Sequence, residues 1–181
     1  QLLNLDFGIF ALHAAQMALF TALPFAMTQL GLEKIQHWKV YLPSTIAGLV
    51  IMIPLIIIGE TRNKLKQVFI LGIACIAAAQ IGLLFGMHSI WLITAYLVVY
   101  FIGFNVLEAS LPSMVSKIAP ADLKGTAMGV YNTMQSVGLF VGGASGGWLF
   151  QQYGFAGVFT FCSVLMLLWL VIAVQIGRAH V

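Results

Sequence analysis

Glu108 stands inside a long apolar run, three residues after Asn105, in the stretch FIGFNVLEASLPSMV. A carboxyl group in hydrocarbon is costly, so it marks a bundle interior or a water-filled path. Reached by water first from one side and then from the other, it would take up and release a proton, as a proton-coupled carrier requires. Asn105, one turn earlier on the same helical face, is placed to hydrogen-bond it or a solute. The plainer use of Glu108 is a structural carboxyl held by hydrogen bonds. His13 sits in another apolar run, and histidine changes charge near neutral pH. It is a candidate proton relay, or else a hydrogen bond between helices. Gln16 and Gln135 are candidates to line the same path, with interhelical bonding as the alternative, and Tyr131 is a further candidate to line it. Asp6, seven residues before His13, is read as solvated or capping.

A second pattern follows Glu108. Gly125, Gly129, Gly138, Gly142 and Gly146 recur at helical spacing, which lets helix backbones approach closely in lipid. Within it, Gly143-Ala144-Ser145-Gly146 matches the G-x-S-G of rhomboid intramembrane proteases. That chemistry needs a histidine on a later membrane helix to activate the serine. The last apolar run has none, so Ser145 is read as a small packing residue.

These groups need a scaffold, and composition names it. The chain has 181 residues, 61% hydrophobic and 7% charged, against about 25% charged in soluble domains. Six runs are long enough to span a bilayer: about 5–30, 40–59, 67–87, 90–115, 125–150 and 155–174. They are continuous rather than alternating, which excludes a β-barrel. The expected fold is an all-α, polytopic membrane bundle of six helices. The net charge of +3 comes from a few loop residues and gives no nucleic-acid signal. Cys75 and Cys162 fall in separate spans and suggest neither a disulfide framework nor a metal site. No cofactor, metal or catalytic residue is expected. The tail IGRAHV, 176–181, reads as a translated sequencing adapter, which leaves Arg178 and His180 outside the chemistry.

Charge alternates between the ends of the bundle. Arg62, Lys64, Lys66, Lys117 and Lys124 lie in loops on one side, and Lys34 and Lys39 on the other. The positive-inside rule puts the first group, and with six spans both chain ends, in the cytoplasm. Leu19, Leu23 and Pro24 recur as Leu107, Leu111 and Pro112, three spans later. An odd number of crossings inverts the second copy, giving three-plus-three inverted repeats of the kind found in secondary transporters.

The segments HAAQMALFTALP, EKIQHWKVYLPS, FNVLEASLPSMVSKIAP and KGTAMGVYNTMQSVGLFVGGASGGWLF resemble the C-terminal half of a major facilitator superfamily transporter. The likeness is strongest to bacterial YajR-type members, and it covers Leu5 to Val174. The resemblance implies a multi-pass protein of the bacterial inner membrane that moves a small-molecule substrate, by proton-coupled antiport or efflux. It implies a missing N-terminal six-helix half as partner, with the bilayer around both. Glu60, Arg62, Lys64 and Lys66 look like the family's gating loop, with Asn63 where the signature has a glycine. A non-transporting sensor or scaffold that kept the fold is the other alternative.

Overall fold

In hydrocarbon every backbone N–H and C=O must be satisfied within the segment itself, so uninterrupted apolar runs become helices. The computed structural model describes residues 2–176; the tail 177–181, with Arg178 and His180, lies outside the described residues. The helices are α1 (Leu2–Gln29), α2 (Trp38–Thr61), α3 (Leu65–Phe85) and α4 (Ile90–Ile118), then a 53-residue helical run, Lys124–Ile176. A short 3-10 turn, Lys34–Gln36, leads into α2.

The last run cannot be one straight rod. At 1.5 Å per residue it would measure roughly 80 Å, against a hydrocarbon core of about 30 Å. It folds back at Gly154, where φ is 62° and ψ is −150°, a region open essentially to glycine alone. We number the two arms α5 (124–153) and α6 (155–176). Both reach the same level of α1: Gly142 lies against the Ala14 backbone, and the Cys162 thiol donates to the Ala15 carbonyl at 3.6 Å. Six helical arms are therefore present, one for each expected run, with one difference in detail. The interval 151–154 between the last two expected runs is helical at Gln151, Gln152 and Tyr153, and the reversal falls on one residue.

Two helix ends close alike. After α1, Gly31 (φ 86°) turns left-handed while Leu32 N–H donates to Met27 O and Gly31 N–H to Thr28 O, both at 3.0 Å. After α2, Asn63 (φ 53°) takes the same role, with Lys64 N–H donating to Gly59 O at 2.7 Å and Asn63 N–H to Glu60 O at 3.3 Å. Asparagine tolerates this conformation better than other non-glycine residues. That explains how it can stand where a glycine was anticipated. Asn63→Gly is therefore expected to leave thermal stability nearly unchanged, and Asn63→Val to cost about 1–2 kcal/mol, read from the melting temperature of the purified protein.

α1 is the central helix. Leu5, Ile9, Leu12, Ala15, Leu19 and Leu23 are buried along it, and it packs against α5, α6 and, less extensively, α4. Gly138, Gly142 and Gly146 meet Phe10, Ala14 and Ala18, so α5 lies parallel to α1 at a backbone-to-backbone distance that only small residues allow. Trp169 of α6 covers Gly8. Gly125 and Gly129 differ from the packing expectation: a Cβ at either would meet nothing within 4 Å. Asp6 is a further correction. It is buried on the α1 face rather than solvated. α2 presents Leu42, Ile46, Leu49, Val50, Ile53 and Ile57 outward.

Candidate functional site

The site forms where α1, α4 and α5 converge. The glycine contacts bring α5 close enough to α1 for side chains 122 positions apart to meet: Gln135 Nε2 lies 2.8 Å from His13 Nε2. The other ring nitrogen, Nδ1, faces the Ile9 carbonyl at 3.2 Å. A carbonyl only accepts, so Nδ1 carries the hydrogen and Nε2 is left with a lone pair to accept from the Gln135 amide. From α4, Glu108 Oε1 approaches the same Nε2 to 3.5 Å, without the alignment of a hydrogen bond. The His13 side chain keeps 5% of its exposure and that of Glu108 keeps 34%.

Aromatic rings wall the pair. Phe104 meets the His13 ring edge-on at 5.9 Å, and Tyr100 stacks on Phe104 at 5.9 Å. The Tyr100 hydroxyl is buried without a partner. Tyr100 and Tyr131 both lie within electrostatic range of Glu108. Tyr100, Phe104 and Glu108 are spaced by four residues, so they share one face of α4. The four-residue interval upstream of Glu108 is the signal in the sequence that marks both aromatics.

Other anticipated members fall differently. Asn105 turns toward α2, where its amide nitrogen stands 3.0 Å from the Cβ position of Gly48, and that nitrogen is buried with no partner. It does not bond Glu108. Gln16 is half-buried and joins none of these contacts. Tyr131 is buried beside the site, and Asn132 is exposed. Glu60, Arg62 and Lys64 are exposed around the α2–α3 turn, and Lys66 opens α3 on the same end of the bundle.

Ser145 is occupied by its own helix, its hydroxyl donating to Val141 O at 2.6 Å. Ser145→Ala is accordingly expected to change neither folding nor transport, measured as folded yield and solute flux of the full-length protein. Among the described residues, no group of three His, Cys, Asp or Glu converges to hold a metal, and both cysteines are free.

A bundle of long apolar helices that sets a half-buried carboxyl 3.5 Å from a buried imidazole has the build of a multi-pass membrane protein. The chain belongs to the Major Facilitator Superfamily, whose family model matches residues 5–178. Among its relatives is the inner membrane transport protein YajR of Escherichia coli K12, 40% identical over 96% of this chain. Another, described as an uncharacterized transporter (BU466) of Buchnera aphidicola, is 30% identical over 75% of the chain. The matched parts are 38% and 35% of those two proteins, so the chain spans well under half the length of its curated relatives.

Proposed function

We propose that this chain is the C-terminal half of a proton-coupled transporter that exports small molecules by alternating access. The reading rests above all on one observation: Glu108 and His13, from helices far apart in sequence, stand 3.5 Å apart inside the bundle. A carboxyl and an imidazole at that distance can hold one proton between them and pass it on. Glu108, the more exposed of the two, is where water would reach the pair. Gln16, Tyr131 and Gln135 would line the path beside it, and Asn105 its α2 side. An absent N-terminal six-helix half would close the other wall, and substrate would bind between the halves near the midplane.

The end carrying Arg62, Lys64, Lys66, Lys117 and Lys124 would face the cytoplasm of a bacterial inner membrane, with both ends of the chain on that side. Glu60 and the neighbouring cations would act there as a gate, pairing in one state and parting in the other. The protease reading has no support, because the Ser145 hydroxyl is bonded to Val141 and not to a base.

The reading has a test that needs no known substrate. A single thiol, Asn132→Cys, is introduced into the full-length protein with Cys75 and Cys162 replaced by alanine. Membrane-impermeant reagents should reach it from both faces, and inverting the proton gradient should shift the ratio between faces. Labelling from one face only, at a rate indifferent to the gradient, would rule out proton-linked alternation.

A further inference from the structure

The His13 ring is met by two groups that make opposite demands on one nitrogen. The Gln135 amide nitrogen can only donate, and at 2.8 Å it requires a lone pair on Nε2. Glu108 Oε1 can only accept when ionised, and at 3.5 Å it would be satisfied by an N–H on that same Nε2. Both demands cannot be met at once. In this structure Gln135 prevails. Nδ1–H is committed to Ile9 O, Nε2 is bare, and Glu108 Oε1 is left buried without a hydrogen bond.

We propose that Gln135 is a positioning residue that holds His13 in its neutral, Nδ1–H form and so delays the His13–Glu108 ion pair until a proton arrives. This rests on the proton-coupled reading above and adds the element that senses the proton. When a proton binds the Nε2 lone pair, a new N–H forms and the acceptor of the Gln135 amide is lost. Two donors then face each other, and Gln135 must turn its carbonyl inward or withdraw. The imidazolium N–H is released toward Glu108. One protonation thus breaks the amide-to-imidazole hydrogen bond between α1 and α5 and supplies an N–H that can pair α1 with α4. The other titratable groups nearby are Tyr100 on α4, Tyr131 on α5, Cys162 on α6, which is bonded to Ala15 O, and Asp6 two turns earlier on α1. Among the described residues, the ion-pair contact at His13 is with Glu108.

The test is the tautomer of His13, read by 15N NMR of full-length protein labelled at histidine and held in lipid nanodiscs. Loss of one resonance pair in His13→Asn assigns the signal. At alkaline pH the wild type is expected to show a protonated Nδ1 and a bare Nε2. Gln135→Met keeps the bulk and removes the donor, so the Nε2–H form, turned to Glu108, should gain by roughly fivefold, the equivalent of one hydrogen bond. A wild-type ring protonated on Nε2 would overturn the proposal, and so would an unchanged tautomer in folded Gln135→Met. If that variant does not fold, the wild-type spectrum decides alone. Failure of the transport reading shows up elsewhere, as proton-driven flux that survives Glu108→Gln, and does not alter the tautomer result.

Discussion

Glu108→Gln in the full-length transporter is expected to reduce proton-driven solute movement roughly hundredfold or more, the scale on which a lost proton-transfer group is felt. The amide has the same shape as the acid and still offers an oxygen toward His13 Nε2, which is 3.5 Å away. Folded yield and melting temperature should therefore stay close to wild type. What the amide cannot do is take up a proton and give it back. The loss should fall on net movement against a gradient, while exchange of labelled for unlabelled solute across the membrane persists. Proteoliposomes with an imposed pH difference measure the first, and counterflow at equal pH measures the second. Gradient-driven flux at the wild-type rate in Glu108→Gln would remove the carboxyl from the mechanism.

The second large effect lies in packing. Gly142→Ala adds one methyl group where the Ala14 backbone already stands. A flexible side chain could move aside, but a helix backbone cannot, so α1 and α5 must separate. Overpacking of this kind costs about 1–3 kcal/mol, and here it would also pull Gln135 away from His13. Gly129→Ala is the same chemical change with the opposite expected sign. Nothing of this chain lies within 4 Å of its Cβ position, so the gain in helix propensity, up to about 1 kcal/mol, should show. Melting temperatures of the two full-length variants should move in opposite directions, with proton-driven flux falling only in Gly142→Ala. A Gly142→Ala protein as stable as wild type would mean that the helices do not touch there.

That contrast also shows how far the sequence could be read. Six crossings follow from length and apolarity, because lipid imposes helices on any such run. The inside and outside of the bundle do not follow. Leu19 and Leu23 are fully buried while Leu42 and Leu49 face outward, and nothing in their chemistry separates them. In water a polar face betrays the surface of a helix. In lipid both faces are apolar, and that mark is erased. The same limit explains why five glycines at helical spacing looked alike although three meet α1 and two meet nothing of this chain.

The site was legible in part. Glu108 and His13 announced themselves, being expensive to bury. Their meeting did not, since it depends on how α1 and α4 cross. Gln135 was visible as a polar residue in an apolar helix, but its partner was not. Asn105 misled because its spacing from Glu108 fits one face of the helix, while the gap opened by Gly48 draws it toward α2. Asp6 was misplaced because nearness to the chain start suggested water, and the packed neighbours of α1 exclude it.

The turn at Gly154 has a consequence for how the protein is made and mapped. With the reversal confined to a single residue, almost no polypeptide projects at that end of the α5–α6 pair. The two arms would enter the bilayer together as a preformed hairpin, since neither has a tether long enough to wait for the other. A topology probe aimed at this corner, whether a protease or an inserted epitope, would find it flush with the lipid headgroups. Its silence there would reflect geometry, and would say nothing of which compartment the corner faces.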